Sequence, residues 1–388
     1  MRQSFDDISA QLRARHRRST RLKWTSMGAL GLAVLFLVLF FADMTVKGLP
    51  AFQQAQIQVE IDYSEQASQL PLAAVNEDVR RLVSRGYLRL IPGRMRDNPE
   101  LLGTRHMEWV LADGQVDQYL KGHHTRLSAN EQATVEALKQ EGRAELRFNT
   151  TFFTNGDSKM PELAGIASAA MGTVFTLLVT IAVAFPIGVM TAVYLEEFAP
   201  DNRFTQLIEI NINNLAAIPS ILFGLLGLAV FISFFGVPRS SPVVGGLTLA
   251  LMTLPVIIIA TRTALRSVPD SIRHAAFGVG CSRWQVVRDH VLPLAMPGIM
   301  TGSIIGLAQA MGETAPLIIV GMVAFIPDVT NSFTEAATVL PAQIFTWAGE
   351  PDRAFIEKTS GGILVLLAVL VTLNATAVVL RKKFERRW

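Results

Sequence analysis

The sequence has few charged side chains and only one cysteine. Asp, Glu, Lys and Arg make up 17% of its 388 residues and hydrophobic residues make up 50%, whereas a soluble domain usually has about a quarter charged residues. This balance favours a membrane protein. The lone Cys281 excludes a framework of internal disulfides. No glycine-rich loop of the P-loop type is present, so ATP, if it is used, must bind to another chain.

The sequence contains long runs of uncharged, mostly apolar residues. A helix rises about 1.5 Å per residue, so roughly 20 apolar residues cross the hydrocarbon core of a bilayer. Six runs are candidates, namely 25–42, 163–195, 210–238, 240–261 with a continuation to 265, 291–326 interrupted only by Glu313, and 361–380. The second, third and fifth runs are longer than one span. We therefore expect them to be tilted or to kink at Pro186, Pro219 and Pro316.

Basic residues cluster at both ends of the chain, and such clusters stay in the cytoplasm. The N-terminal tail, 1–24, and the C-terminal tail, 381–388, are both rich in Arg and Lys. An even number of spans is consistent with two cytoplasmic ends, and it places the loop 268–293 in the cytoplasm too. The connections 236–241 and 327–360 then lie outside. We interpret 25–46 as a retained membrane helix, because its apolar run is long and no good signal-peptide cleavage site follows it.

Residues 47–162 have the composition of a water-soluble segment, and the topology places them outside the inner membrane. Alternating apolar residues predict a strand at 57–63, and helical spacing predicts a helix over 75–88. Ser128 and Glu131 predict a capping box for a helix running to about Gly142. A small α/β insertion domain is therefore expected. We predict solvated surface positions and no metal site for the three histidines of this segment, because their spacing is not a ligand pattern: His106, His123 and His124.

The sequence of the cytoplasmic loop predicts two short helices joined in a rigid elbow. A first helix follows Pro269, a turn falls at Gly280, and a second helix ends at Leu292 and Pro293. One face is apolar and the other carries arginines, among them Arg283. An elbow of this kind can dock into a groove on a cytoplasmic partner and transmit movement to both attached spans. Small residues would let the partner's backbone approach closely: Ala275, Ala276, Gly278 and Gly280.

The elbow resembles the EAA loop of ABC-importer permeases. His274, Ala275 and Ala276 occupy the Glu-Ala-Ala positions, Gly280 is the loop glycine, and Leu292 with Pro293 closes the motif at the family spacing. His274 replaces the usual acid and His290 replaces an apolar residue. The resemblance implies that the coupling residues of the elbow are His274, Ala275, Ala276, Gly280, Arg283, Leu292 and Pro293.

Segments in the flanking spans look like the A-type permease subunit of phosphate-specific (Pst) importers. They are 213–228, 254–269, 306–321 and 340–345. The resemblance covers the first span and roughly 164–388. It implies an α-helical integral membrane protein with the six transmembrane helices of the type I ABC-importer permease fold, helices 2–6 lying within 163–380, and an enlarged periplasmic α/β insertion between helices 1 and 2.

The same resemblance implies a set of partners. They are a homologous second permease, two copies of a cytoplasmic ATPase that uses the ATP, and a periplasmic phosphate-binding protein. The chain itself would be no enzyme and would need no cofactor or nucleic acid. It would lie in the bacterial inner membrane as a multi-pass protein with both termini in the cytoplasm.

Polar residues inside the spans predict a solute path, because such residues usually face a pathway or another helix. The candidates are Asn214, Ser220, Thr261, Arg262, Gln309, Glu313 and Thr314. Gln309 and Glu313 are four apart and are expected on one helix face. Counting rise per residue puts Arg262 about 7 Å from the cytoplasmic end of its span and Glu313 about 25 Å away, so we do not expect them to pair. Ser220 and Gln309 both lie about 20 Å from the cytoplasmic side by the same count, so we expect them to be neighbours.

Phosphate chemistry matches this set of residues. Hydroxyl and amide groups supply donors, Arg262 draws the anion inward, and Glu313 accepts a hydrogen bond from HPO₄²⁻. An alternative is that Gln309 and Glu313 satisfy each other, the partner subunit, or backbone carbonyls freed by Pro316.

Other functions stay open at this point. Permeases for sulfate, molybdate or phosphonate share the elbow and the architecture. A membrane sensor with a periplasmic input domain is a different class, although no kinase, cyclase or coiled-coil segment follows residue 380. An ion-coupled secondary carrier is a third class, but such carriers usually have more spans and paired repeats.

Overall fold

A computed structural model describes residues 2–384 of the chain. It begins with one continuous helix, α1 (Arg2–Gly48), that includes most of the predicted basic tail and the whole first span. The apolar part of α1 has no residue buried within the chain. Only its end packs closely, because a side chain at Gly48 would collide with the backbone of Ser360. The last four residues of the predicted C-terminal tail, 385–388, lie outside the described residues.

A three-stranded antiparallel sheet follows α1, in the order β2-β1-β3. Ile57, Val59 and Ile61 of the central strand are fully buried under the helices that cover one face. Short 3₁₀ turns lie at Leu49–Phe52, Pro71–Ala74 and Pro99–Leu101. The strands are β1 (Gln53–Asp62), β2 (Arg105–Leu111) and β3 (Ala144–Phe148), and the helices are α2 (Glu65–Gln69), α3 (Arg85–Asp97), α4 (Gly114–Leu120), α5 (Ala129–Gln140) and α6 (Thr150–Thr154).

Two of the three local predictions for the insertion are confirmed. Residues 57–62 of the predicted strand lie in β1, and α5 begins with the predicted capping box, in which the Ser128 N–H donates to Glu131 at 2.8 Å. The helix predicted over 75–88 is wrong, because residues 75–84 form turns and the helix begins only at Arg85. Backbone bonds to the end of β2 prevent it: the Ser84 N–H donates to Leu111 O at 2.9 Å, and Val83 forms a β-bridge with Ala112.

The histidines of the insertion differ in exposure. His106 and His124 are exposed, as predicted, whereas His123 is half-buried with its Nε2 3.2 Å from Glu357. Among residues 2–384, no group of three or more potential metal ligands comes together.

The remaining elements form the membrane part. Its helices are α7 (Ala167–Val193), α8 (Arg203–Ala216), α9 (Ser220–Gly227), α10 (Pro242–Arg266), α11 (Asp270–Gly278), α12 (Arg283–Gln285), α13 (Leu292–Gly312), α14 (Ala315–Ile319), α15 (Leu340–Ala348) and α16 (Ala354–Phe384). π-helical stretches at Tyr194–Phe198 and Leu228–Phe234 extend α7 and α9, and a third at Val286–Val291 leads from α12 into α13.

Five single helices in the described part of the chain are long and apolar enough to span a membrane. They contain α1, α7, α10, α13 and α16. A sixth span results if α8 and α9 with its extension are taken together, although these two segments are bent by 104°. The third predicted run is thus interrupted at Pro219, as expected. The interruption is a sharp bend and not the kink that we predicted. Pro186, in contrast, lies within the continuous α7.

Helix α10 lies at the centre of the membrane part and packs against α7 and α13. Gly298 and Gly302, one turn apart on α13, face Ala264 and Ala260 on α10, so that a side chain at either glycine would collide. Small residues four apart on two facing helices let their backbones approach closely in a membrane. This contact fixes the antiparallel arrangement of the two spans that flank the elbow.

The fifth predicted run, 291–326, is not one helix. Helix α13 ends at Gly312, Glu313 is extended with ψ 130°, and the short α14 starts at Ala315. Pro316 accounts for the break, because a proline ring clashes with the carbonyl four residues earlier in a continuing helix, here that of Gly312.

The predicted outer connection 327–360 is also wrong in its second half. It contains the buried helix α15, and α16 begins at Ala354, seven residues before the predicted sixth run. Glu357 and Lys358 made this stretch look like a loop. Both are buried in the first turns of α16, where Gln118 and Lys121 of the insertion contact Glu357 and the carbonyl of Ala164 accepts a hydrogen bond from Lys358.

A cluster that we call the seam network joins the insertion to α16. Lys121 Nζ lies 2.7 Å from Asp117 Oδ2 and 2.9 Å from Glu357 Oε2, and all three side chains are at most 13% exposed. Gln118 Nε2 donates to Glu357 Oε1 at 2.8 Å. Asp117 also accepts the N–H of Ala55 in β1 at 2.7 Å. The insertion is therefore attached to a membrane helix through buried charges.

Two further contacts extend this attachment. Lys358 Nζ donates to Ala164 O at 3.1 Å and lies 5.0 Å from the ring centroid of Phe152 in α6. Trp347 Nε1 of α15 donates to Asp157 Oδ1 at 2.9 Å. Nearby, burial raises the pKa of Glu162, which accepts a hydrogen bond from Ser84 Oγ at 2.8 Å.

Replacing Lys121 by Met is expected to destabilise the chain strongly. The change leaves the carboxylates of Asp117 and Glu357 close together without their shared cation. Removing one member of a buried ion pair costs roughly 3–5 kcal/mol. The free energy of unfolding in detergent, and the rate of proteolysis between the insertion and α7, would measure the effect.

Lys139→Met provides the matched control. Its partner Glu136 is 3.8 Å away and both side chains are about half exposed, so the change should cost less than about 1 kcal/mol. Equal stability of the two variants would contradict the role given to the seam network.

Candidate coupling elbow and solute path

The elbow, residues 268–293, consists of α11, a turn, α12 and the π-helical stretch before α13. Gly280 has φ +88°, a conformation that L side chains rarely adopt, so the turn requires glycine. Ser282 and Gln285 form a capping box at the start of α12. The predicted first helix and glycine turn are confirmed. The second helix does not end at Pro293, because it continues into α13.

The inner face of the elbow is apolar and packs on the ends of the spans. Ala276, Val286 and Val291 are buried together with Leu265 of α10 and Ile299 of α13. The elbow is therefore part of the same packed unit as α10 and α13, and a force applied to it reaches both helices.

Arg273 of α11 ties the elbow to two spans. Its Nη2 lies 2.7 Å from Glu197 Oε1, just after α7, and its guanidinium also donates to the carbonyls of Leu265 at 3.0 Å and Val268 at 2.7 Å. The hydrogen bond to Glu197 raises the pKa of Arg273 further above its ordinary value, so the side chain stays charged. Arg273 thus supplies charge and donors to the exposed carbonyls at the end of α10.

Two more arginines complete what we call the arginine–glutamate network. Arg262 Nε lies 3.2 Å from Glu196 Oε2 and its Nη2 lies 2.5 Å from Glu209 Oε1 in α8. Arg266 Nε lies 2.7 Å from Glu196 Oε1. The end of α7, the middle of α8, the last turns of α10 and the elbow helix α11 are therefore joined by charge-assisted hydrogen bonds, which are stronger than neutral ones.

The outer face of the elbow is exposed and partly apolar. Phe277 is 47% exposed, Trp284 57% and Val279 80%. His274 and Ala275 lie on the exposed part of α11, and no atom would obstruct a side chain at Gly278 or Gly280. A cavity of about 460 Å³ lies between this face and the network and is lined by residues that include Glu197, Arg273 and Arg283.

The remaining predicted coupling residues have more modest contacts. The Arg283 guanidinium lies 5.4 Å from the ring centroid of Phe198, a cation–π arrangement. Leu292 and Pro293 are half-buried at the start of α13. Ala276 is buried, so it packs the elbow against the spans and is not open to a partner.

Glu196, Glu197 and Glu209 were missed by the sequence reasoning. The signal for them was present, because the predicted topology places the end of the second span, the start of the third and the elbow on one side of the membrane. Three acidic residues beside Arg262, Arg266 and Arg273 on the same side predict ion pairing.

Four of the seven predicted path residues lie at or near two interruptions of the spans. Asn214 and Ser220 flank the bend between α8 and α9, and Glu313 and Thr314 fill the break between α13 and α14. Non-helical backbone at membrane depth is tolerated where it is buried in protein or lines a cavity with water. Ala217 and Pro219 in the first break are exposed, whereas Glu313 and Thr314 in the second are half-buried.

The breaks meet because α9 and α14 pack side by side. A side chain at Gly224 would collide with Pro316 of α14, and one at Gly227 would be in tight contact with Val320, just after α14. Residues further along α9 contact residues further along α14 and its end, so the two helices run parallel. The start of α9, with Ser220, consequently lies towards the start of α14, which follows Glu313 and Thr314.

The predicted common helix face of Gln309 and Glu313 is wrong, because Glu313 has left the helix. Gln309 is exposed on the last full turn of α13, and Asn214 is exposed near the end of α8. An exposed amide at membrane depth needs water or another protein to satisfy it.

Thr261 and Arg262 lie apart from this group, near the C-terminal end of α10. Thr261 is fully buried, and its hydroxyl has no hydrogen-bond partner within residues 2–384. Arg262 is balanced by two carboxylates of the network. It pairs with neither Glu313 nor, in the described part of the chain, any other path residue.

Comparison with known proteins identifies the class. The family model of the binding-protein-dependent transport system inner membrane component matches residues 184–388. A second model, a domain of unknown function, matches 9–91 and 64–130. The chain belongs to the first family and is a multi-pass inner membrane protein.

Individual relatives are more specific. The chain is 33% identical over 224 residues to the phosphate transport system permease protein PstA 1 of Mycobacterium tuberculosis, which covers 58% of this chain and 72% of the relative. It is 34% identical over 249 residues to the probable ABC transporter permease protein YqgI of Bacillus subtilis, covering 60% and 83%. The predicted resemblance is thereby confirmed. Among solved structures, the inward-facing MetNI methionine ABC transporter matches 55% of this chain and 95% of that chain, with 18% identity and a TM-score of 0.45.

Arg273→Met is expected to uncouple the elbow from the spans. The change removes the pair with Glu197 and the bonds to the carbonyls of Leu265 in α10 and Val268 just after it, but leaves Phe277 and Trp284 on the outer face. Losing one side of a buried pair costs roughly 3–5 kcal/mol. In vesicles that contain the assembled transporter, solute moved per ATP hydrolysed should fall about tenfold or more, while hydrolysis continues.

Arg288→Met is the control from the same loop. Its guanidinium pairs only with the adjacent Asp289, and both side chains are about half exposed, so the coupling ratio should stay unchanged. An unchanged ratio in Arg273→Met would remove Arg273 from the coupling mechanism.

Proposed function

We propose that this chain is the A-type permease subunit of an ATP-driven importer that moves inorganic phosphate across the bacterial inner membrane. Family membership supports the transport role. The name of the Mycobacterium tuberculosis relative, which is one third identical to this chain over most of its own length, supports phosphate as the solute. The observation that carries the site is the meeting of two interrupted spans beside polar side chains.

We further propose that a cytoplasmic ATPase docks on the elbow. Exposed apolar side chains in a cytoplasmic loop favour a protein partner, and Phe277, Val279 and Trp284 are such side chains. The chain contains no phosphate-cradling loop of its own, so two copies of the ATPase hydrolyse the ATP. The arginine–glutamate network then passes the movement of α11 to α7, α8 and α10.

A homologous second permease completes the path. Asn214 and Gln309 are exposed at membrane depth within this chain, and polar groups there need a partner or water. A second subunit that faces them would enclose a path between the two chains. A periplasmic phosphate-binding protein delivers the ion from the side of the insertion, which we propose as a separate domain over 47–162.

The path residues suit a partly protonated oxyanion. Ser220, Thr314, Asn214 and Gln309 supply hydrogen-bond donors without fixed positive charge, so the ion is held but can leave. Glu313 accepts a hydrogen bond from the protonated oxygen of phosphate and repels fully ionised anions. We assign Arg262 to the network, since two carboxylates already balance its charge. The buried Thr261, one residue earlier, packs within the same end of α10.

Variants of the path provide the test of solute and site. The importer, reconstituted with its ATPase, second permease and binding protein, should hydrolyse ATP and take up solute in response to phosphate but not sulfate or molybdate. A hydrogen bond to a charged group contributes about 1.5–3 kcal/mol, so Gln309→Ala and Glu313→Gln should each slow phosphate uptake roughly ten- to hundredfold.

Ser233→Ala is the control for these variants. Ser233 is an exposed polar residue at the far end of the third span and bonds to Leu228 O, so its uptake should match wild type. Response to sulfate or molybdate would reassign the solute, and wild-type uptake by both path variants would move the path elsewhere.

Orientation has its own test. In a Cys281→Ser background, Val279→Cys on the elbow should react with an impermeant maleimide only in inside-out vesicles. Glu100→Cys on the insertion should react only in spheroplasts. The two exposed positions control for each other, and labelling of Val279→Cys in spheroplasts would invert the proposed topology.

A further inference from the structure

A cleft lies where the insertion meets the membrane part, between the segment around α4 and the connection from α15 to α16. Its volume is about 420 Å³, and its lining includes Gln118, His124, Arg126, Asp352 and Arg353. We call it the seam cleft. It lies beside the seam network, on the insertion side of the molecule, and shares no lining residue with the predicted solute path.

The cleft is electropositive. Arg126 comes from the insertion and Arg353 from the membrane part, and neither guanidinium has an ion-pair partner within residues 2–384. Asp352 is the only carboxylate in the lining, and its Oδ1 is engaged by the N–H of Ala354 at 3.0 Å. Two free guanidinium groups therefore outweigh one carboxylate, and the His124 imidazole adds a further possible donor.

The walls of the cleft are held in place. Gln118 is 4% exposed and bonds to Glu357, which Lys121 holds from the other side. The N–H of Arg126 donates to Gln115 Oε1 at 3.0 Å, which fixes the loop that carries Arg126. The two arginines are thus presented from two segments that the seam network keeps together.

We propose that the seam cleft binds an oxyanion, either a phosphate ion or a carboxylate of the binding protein. A guanidinium offers a planar pair of donors that matches two oxygens of a phosphate or carboxylate. Two such groups on one cleft, one from each part of the molecule, form a site that exists only when the insertion is seated. The insertion thereby gains a role in receiving anions or their carrier protein.

Binding of radiolabelled inorganic phosphate to the purified full chain in nanodiscs tests whether the ligand is a phosphate ion. Arg126→Gln combined with Arg353→Gln should weaken binding about tenfold or more, since both charged donors are lost. The paired change Arg89→Gln with Arg96→Gln is the control. It removes the same charge from exposed positions of α3 and should leave binding unchanged.

The assembled importer tests whether the ligand is a carboxylate of the binding protein. If the chain alone binds no phosphate at this cleft, the cleft variant should raise the binding-protein concentration for half-maximal ATP hydrolysis about tenfold, and the α3 variant should not. Either response supports the site and identifies its ligand.

The proposal is overturned if the cleft variant matches the α3 variant in both measurements, with an unchanged thermal unfolding profile that shows both are folded. The phosphate-binding measurement involves no transport. A negative result for the seam cleft therefore leaves the proposed importer function intact. Failure of phosphate as the transported solute likewise leaves the cleft measurement valid.

Discussion

Pairing between three arginines and three glutamates positions the elbow. Arg262, Arg266 and Arg273 stand at or just beyond one end of α10, where four carbonyls of a helix lack intrahelical partners. Glu196 and Glu197 bring the end of α7 to the same place, and Glu209 brings the middle of α8 there. Arg262, Arg273, Glu196 and Glu197 are mostly shielded from water, so their mutual attraction is screened little and their separation would leave charges unpaired. A displacement of α11 therefore moves the attached helices with it.

A second set of buried charges performs a related task at the opposite end of the spans. Lys121, Asp117 and Glu357 join the insertion to α16, with β1 tied in through Asp117. The insertion is thus attached to the membrane part by more than the chain connections at its two ends. This attachment brings Arg126 and Arg353 to one cleft, so the electropositive surface is a product of assembly and belongs to neither part alone.

Between the two charged ends, the spans are interrupted where polar residues are found. Proline terminates α13 and lies at the bend before α9, and the glycines of α9 allow α14 to pack against it. Helix breaks at membrane depth leave backbone groups that need partners. In the proposed path, such groups together with Ser220 and Thr314 would provide polar surroundings for the anion. The physical cost of the breaks is therefore consistent with a transport path.

Local chemistry determined much of this protein. Uninterrupted apolar runs specified the membrane class, alternation specified β1, Ser128 and Glu131 specified the start of α5, and the spacing around Gly280 specified the elbow. These features depend on residues that are near one another in the chain. They could be predicted because the bilayer and the backbone impose the same rules on any sequence.

Only the tertiary structure decided the rest. Residues 75–84 do not form the predicted helix, because they bond to the end of β2. Glu357 and Lys358 are part of a membrane helix because Gln118 of the insertion and the carbonyl of Ala164 supply partners across more than 190 residues of sequence. Whether a buried charge is tolerable depends on what lies opposite it in space. That information resides in the packed fold, since the free energy of an ion pair is set by distance and burial and not by position along the chain.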